Sequence, residues 1–303
     1  MTGLGFQGRE AYLDVADEMG WFAEVGLQVE VVPGDGTGTN LELLAAGRVD
    51  FATLDVSAAL IEYSRGTHTD FRLVSILHEL NLSCVMVLAS SDITSLHDLE
   101  GATVAVIPGG VNTVVFPALA EQVGFDPDLV ELVPLAPPNP QTFGVALASG
   151  RVDAVMQFVV GQQAIETFAR QPVRLFPYSD WIIDVYGSGI GVSAELAGTD
   201  PDLVRRFNTA AIRGLRWAVE HPVEAGAIFA QRHPELSAET AAAELVALQP
   251  YVRPSWEAAG PLAQGEVSEV RLAQNMALLE ALGEVEAGIT AQDVAVFGLV
   301  GAG

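Results

Sequence analysis

The chain has 303 residues, half of them hydrophobic, with 39 acidic side chains, 14 basic ones and a net charge of −25. That is length for about two domains and apolar content for real cores. All 14 basic residues are Arg, so Schiff-base and pyridoxal-phosphate lysines, Gly-Lys phosphate loops and kinase-type lysines are excluded, and the acidity argues against nucleic acid as a partner.

Met1-Thr2-Gly3-Leu4-Gly5-Phe6 begins abruptly and reads as the end of a strand, so a targeting segment is expected to have been removed in front of it. Next come a helix, the Gly26-Leu27 pair and an apolar strand over 27–32. The Gly-rich loop 34–40 leads into a helix closed by Gly47 and a strand over 49–54. A helix over 56–66 and a strand over 71–77 follow. The single cysteine, Cys84, lies in the apolar run 82–88, which excludes an internal disulfide and reads as a buried small hydrophobe. A strand over 103–107 precedes a helix over 113–123, for which Asn112 is the expected N-cap. Strands over 130–135 and 152–156 flank a helix closed by Gly150, and another helix covers 162–170.

From Asp200 the pattern turns helical. Thr199 or Asp200, followed by Pro201, starts a long amphipathic helix to about Glu220. Further helices are expected over 222–232, 238–248 and 271–282, packed on one lobe without a sheet of their own. The charge-free stretches 101–120 and 132–150 are broken by prolines and glycines, and neither reads as a membrane span.

The order is set by an internal echo. Leu44-Ala45-Ala46-Gly47-Arg48-Val49-Asp50-Phe51 recurs as Leu147-Ala148-Ser149-Gly150-Arg151-Val152-Asp153-Ala154, offset by 103 residues, with an apolar strand upstream of each copy. Two such units imply two similar α/β lobes with largely parallel sheets. We expect lobe I over 1–82 plus 188–303 and lobe II over 83–187.

Ligands of such sheets bind at the carboxyl ends of strands, and with two lobes the expected site is the cleft between them. That rule selects Gln7, Arg9, Glu10, Thr37, Thr39, Asn40, Asp55, Ser57, Glu79 and Asn81 from the first lobe's loops. From the second it selects Gly110, Asn112, Thr113, Gln157, Phe158, Trp181, Asp184 and Tyr186. Loops 34–40 and 108–113 could present backbone N–H groups to an anion or carbonyl, or be turns with Thr39 or Asn40 as N-cap in the first. Asp55 is also readable as a helix cap and Trp181 and Phe158 as core, while Asp50 and Asp153, which belong to the repeated motif, read as structural. Arg9 is the only basic group in these loops, against Glu10, Asp35, Asp55, Glu79 and Asp184. A site for sulfonate, nitrate or phosphate should gather several cationic donors. This set suits a flat, neutral or amine-bearing molecule, whose ring would stack and whose amino groups would donate to carboxylates.

Catalytic and metal patterns are not found. No two of the five histidines have metal-ligand spacing, and there is no Gly-x-Ser-x-Gly elbow. His221 and His233 precede prolines and are expected at the surface. Glu79 beside His78 could be an acid/base pair, but neighbours on a strand point apart.

Several segments carry a family resemblance. Gly20-Trp21-Phe22 through Gly26-Leu27-Gln28-Val29-Glu30, Leu44 to Asp50, Leu96-His97-Asp98-Leu99-Glu100-Gly101 with the strand after it, and Asp200 to Pro222 resemble substrate-binding proteins of bacterial ABC importers. The group is the one that takes up thiamine-precursor pyrimidines, alkanesulfonates and nitrate, and the resemblance runs from about Gly3 to Leu299. Asp180-Trp181-Ile182-Ile183-Asp184-Val185-Tyr186-Gly187 looks most like its pyrimidine-type and riboflavin-type members. One Cys and no Lys depart from the eukaryotic pyrimidine-synthesising relatives, with their Cys-rich iron motif and active-site Lys.

The resemblance implies a type II periplasmic-binding fold with crossing strands near 81–85 and 184–189. It implies hinge closure on a small nutrient, docking on a membrane permease, an extracytoplasmic, monomeric, non-enzymatic protein, and no cofactor or metal. The alternatives are a binder of an alkanesulfonate or other small anion, held by Arg9 and the two Gly-rich loops, and an enzyme on the same bilobal fold. A third class, the sensor domain of a transcription regulator, lacks a helix-turn-helix here.

Overall fold

The computed structural model describes residues 1–252 and 264–300. The chain divides into unit 1, Met1–Leu80 with Asp184–Gly303, and unit 2, Asn81–Ile183, so it passes between them twice. Unit 1 opens with α1 (Ala11–Glu18), α2 (Trp21–Glu24), α3 (Thr37–Ala45), β1 (Ala52–Asp55), α4 (Val56–Ser64) and β2 (Phe71–Ile76). Unit 2 holds β3 (Ser83–Leu88), β4 (Thr103–Val106), α5 (Val111–Val114), α6 (Phe116–Val123), β5 (Glu131–Pro134), α7 (Pro140–Ala148), β6 (Ala154–Phe158), α8 (Gln162–Ala169) and β7 (Val173–Pro177). Unit 1 resumes with β8 (Ser188–Ser193), α9 (Ala194–Thr199), α10 (Pro201–Glu220), α11 (Pro222–Arg232), α12 (Ala238–Val252), α13 (Glu269–Ala281) and α14 (Ala291–Val294).

The echo is real at the level of single hydrogen bonds. Gly47 and Gly150 end α3 and α7 in the left-handed region, at φ 61° and 68°. In both copies the glycine N–H returns to Leu44 or Leu147, and the following Arg N–H to Leu43 or Ala146, at 2.9–3.1 Å. That pair of bonds is the Schellman motif, and only glycine enters its positive φ without a Cβ penalty. Asp153 is structural: its carboxylate accepts from Thr103 N at 2.8 Å and ties β6 to β4.

The sheets are less parallel than expected. In unit 1 the order is β1-β8-β2, and β8 runs antiparallel to both neighbours, with a bulge between Leu73 and Ser75. In unit 2 the order is β5-β4-β6-β3-β7; β4 is parallel to β5 and β6, while β3 is antiparallel to β6 and β7. The strands that break the parallel pattern, β3 and β8, are the first after each crossover. A chain arriving from another unit has no crossover helix in that sheet to force it parallel.

The expected strand over 27–32 has no ladder, although residues 27–31 alternate half-buried and exposed as a strand does. The expected helix over 113–123 is broken into α5 and α6 at Val115, and Asn112 lies inside α5 rather than capping it. Neither Thr39 nor Asn40 caps α3, whose N-cap is Gly36 at φ 86°. Asp200 does cap α10, its carboxylate accepting from Leu203 N at 2.9 Å with Pro201 behind it. Among the described residues the C-terminal region adds no strand, only an isolated bridge from Ala295 to Leu73, and its helices pack within unit 1, α10 on α1 and α12 on α11. His233 is not at the surface: its side chain is 11% exposed, bonds Asp14 at 3.0 Å and packs between Phe6 and Phe229. The Asp14 carboxyl, on α1, is what draws this ring inward.

Candidate ligand-binding site

In unit 1 the loops at the strand ends gather charge around Arg9. Asp55 ends β1 and caps α4 by accepting from Ala58 N at 2.9 Å. Desolvation raises its pKa to about 6, against the bonds from Ala58 and Ser57 and the charge of Arg9. Glu10 is 4% exposed. Burial raises its carboxyl too, opposed by Arg9 and by a bond from Gly3 N at 3.0 Å. Glu244, on α12, accepts from Arg9 N at 3.1 Å and is raised by burial in the same way. His78 is kept neutral, lowered to about 3 by burial and by the Arg9 charge. Three carboxylates in a poorly solvated setting beside one guanidinium can accept from amino or ammonium groups, and each gains if a cationic ligand replaces lost hydration.

Other expected site residues of unit 1 have structural duties. Asn40 is fully buried; its amide donates to Thr2 O, Gly3 O and Thr53 O at 3.0–3.1 Å and accepts from Asp35 N at 3.1 Å. Thr37 accepts from Asp55 N at 3.0 Å, Gln7 donates to Leu4 O at 2.9 Å, and Ser57 is buried beside Asn275 at 3.4 Å. Thr39 and Asp184 are half-buried.

Glu79 and Tyr186, on either side of the excursion into unit 2, meet on α13. Arg271 donates to the Glu79 carboxylate and to the Glu79 carbonyl, both at 2.7 Å, and its guanidinium lies 4.3 Å from the Tyr186 ring centre. Burial pushes the Tyr186 hydroxyl up to about 12, while its backbone N–H donates to Asn275. Arg9 is therefore not the only guanidinium at the chosen loops, a correction to the sequence reading. Glu79 is paired with Arg271, not with His78.

In unit 2, Asn112 donates to Gln157 O at 3.0 Å, and its carbonyl accepts from the buried Tyr178 hydroxyl at 3.1 Å. These bonds bring the α5 loop, the end of β6 and the end of β7 together. Thr113 donates to Ile107 O at 3.1 Å, and Gly110 N–H bonds the same carbonyl at 3.0 Å, closing the Gly-rich turn. Gln157 accepts from Phe158 N at 3.0 Å and Asn81 from Ser83 N at 2.7 Å. Phe158 and Trp181 are half-buried. Cys84 is fully buried, and burial raises its thiol well above the ordinary range.

Sequence reasoning missed Glu244 and Arg271. The only signal was a charged residue in an otherwise apolar helical stretch, Ala241-Ala242-Ala243-Glu244-Leu245-Val246-Ala247 for the first. Helix periodicity gives the face but not the loop it meets. Among the described residues no helix is long and apolar enough to cross a membrane, and no cluster of His, Cys, Asp and Glu could hold a metal ion.

Comparison with known proteins adds the lineage. A formylaminopyrimidine-binding protein of Halalkalibacterium halodurans is 28% identical over 218 residues, covering 71% of this chain and 64% of that protein, less than two thirds of its length. The periplasmic aliphatic sulphonate binding protein SsuA of Escherichia coli superposes with a TM-score of 0.75 at 16% identity, over 97% of this chain and 92% of that one. The desulfurization enzyme DSZB superposes with a TM-score of 0.62 at 18% identity, over 98% and 97%. At such identities these two show the fold alone, and that fold serves both a binding protein and an enzyme. Residues 10–225 match the family model described as NMT1/THI5 like, and the chain belongs to the NMT1/THI5-like family.

Proposed function

We propose that this chain is the solute-binding receptor of a bacterial ABC importer and that its ligand is a small amine-bearing heterocycle of the aminopyrimidine type. The observation that carries the reading is that Glu10, Asp55 and Glu244 of unit 1 are each held by a backbone N–H, from Gly3, Ala58 and Arg9, in a poorly solvated setting that feels the Arg9 charge. A ring nitrogen with a neighbouring exocyclic amine presents two parallel donors to one carboxylate when the ring is protonated, and an acceptor beside a donor to one protonated carboxyl when it is neutral. In unit 2, half-buried Trp181 and Phe158 are our candidates for stacking on such a ring. The name of the Halalkalibacterium relative supports the same ligand class. An alkanesulfonate, by contrast, would face three carboxylates with Arg9 as the near cation.

In unit 1, Arg9, Glu10 and Asp55 are the residues we assign to direct contact; in unit 2 the candidates are Phe158 and Trp181. The proposal includes hinge closure on the ligand, docking of the closed monomer on a membrane permease, and an extracytoplasmic location. Ligand must favour the closed state for the signal to exist. Burial of the lone Cys84 supports the non-enzymatic reading over a thiol enzyme on this fold. The test is a thermal-shift screen with aminopyrimidines, flavins, alkanesulfonates and nitrate, followed by small-angle scattering. Stabilisation by aminopyrimidines, lost in Asp55→Ala, is expected. Stabilisation by the anions alone overturns the ligand class, and binding without contraction overturns closure.

A further inference from the structure

His78 lies just past the end of β2 and is 3% exposed. Its backbone N–H donates to Ser188 O at 3.0 Å, and the Ser188 N–H donates to its ring Nδ1 at 3.4 Å. Asp55 pairs with the same Ser188 from the other side, in the β1–β8 ladder. His78 and Asp55 thus flank one residue at one end of the unit 1 sheet. They stand two strand spacings apart, about 10 Å, which is room for one six-membered ring with a hydrogen bond at either side. The Arg9 charge reaches both. Gly187, whose N–H donates to His78 O at 3.0 Å, lies so close that a Cβ there would come within 2.7 Å of His78 Cβ, and this packing holds the histidine in place.

The Ser188 bond also fixes the tautomer. Burial and the Arg9 charge keep the imidazole neutral, so it carries one N–H. Nδ1 faces a donor and offers its lone pair, which leaves the proton on Nε2. Among the described residues Nε2–H meets no acceptor, and it is not among the unbonded polar atoms sealed from solvent. A buried side chain therefore keeps one donor unused beside Asp55, and such a donor gains when a bound molecule supplies an acceptor.

We propose that His78 is a specificity-determining residue that touches the ligand, its Nε2–H donating to an uncharged ring nitrogen on the side away from the edge held by Asp55. Resting on the aminopyrimidine reading of this site, the assignment adds a selection rule. A fixed neutral donor rejects a ring protonated at that nitrogen, and rejects a ring with C–H there, because the N–H is then desolvated without an acceptor.

The probes are 4-aminopyrimidine and 2-aminopyridine, which share an amine beside a ring nitrogen and differ only in the second ring nitrogen. Calorimetry at mildly alkaline pH, where both rings are uncharged, measures their binding to the wild type, His78→Phe and His78→Gln. The wild type is expected to prefer 4-aminopyrimidine about tenfold or more. His78→Phe is expected to lose that preference, and His78→Gln, whose amide can donate from the same place, to keep part of it. Because Phe also removes the bond from Ser188, the imidazole nitrogen resonances of the wild type are read beside it. There 4-aminopyrimidine is expected to move Nε2 of His78, and binding without that shift overturns the proposal. Equal binding of the two probes by the wild type, or a preference that survives in His78→Phe, overturns the proposal and leaves the ligand class standing. Binding of neither probe overturns the ligand class and the proposal with it.

Discussion

Asn40→Ala separates a structural role from a ligand role. The side chain is fully buried and joins three segments: it donates to Thr2 O, Gly3 O and Thr53 O and accepts from Asp35 N. Two amide N–H groups shared among three carbonyls count as about two donated bonds, and Asp35 N adds one accepted bond. Three bonds at about 1 kcal/mol each, plus desolvated carbonyls left without a donor, give a loss of about 3–5 kcal/mol. The assay is urea unfolding of the ligand-free protein, followed by fluorescence. The loss must appear without ligand, and Asn40→Asp, which keeps the acceptor and removes both donors, must do no better. A loss below about 1 kcal/mol at unchanged m value would refute the reasoning, since it would mean that water re-satisfies these carbonyls.

Asp55 gives a pH signature. Its folded pKa of about 6 lies above the ordinary 3.8, so the folded state holds the proton more tightly and its contribution to stability falls as pH rises from about 4 to 6. Asp55→Asn keeps a capping side chain and should flatten that part of the urea midpoint profile; an unchanged slope contradicts the assignment. His233→Ala strips the partner from the buried Asp14 carboxyl. It should cost about 2–4 kcal/mol, and the double variant with Asp14→Ala should cost less than the sum, as a double-mutant cycle in thermal unfolding will show. At Gly214, where α10 crosses α1, an added Cβ would run into the Tyr12 carbonyl and come within 3.0 Å of Ala16 Cβ. Gly214→Ala should therefore destabilise by about 1–3 kcal/mol net, despite the higher helix propensity of Ala, and a gain in melting temperature would contradict the packing.

Much of the fold was legible because its signals are local. The Gly47 and Gly150 helix ends, the Asp200-Pro201 start of α10 and the buried run around Cys84 each rest on a few adjacent residues. The direction of β3 and β8 was not legible, because apolar runs read the same in either direction. Of the site, the strand-end loops were legible but the work of their side chains was not. Asn40 and Asn112 look alike in sequence to a ligand donor and to a loop brace, and the structure uses both as braces.

The sequence alone determined that this is an acidic, lysine-free α/β chain built on a repeated helix–glycine–strand unit, since composition and short-range periodicity are properties of neighbours along the chain. Only the tertiary structure decided that Glu244 meets Arg9, that Arg271 joins Glu79 to Tyr186, and that His233 is buried against Asp14. Each pairing spans scores to hundreds of residues. An amphipathic helix specifies which of its faces is buried, and the packing of the whole unit chooses the loop that face meets.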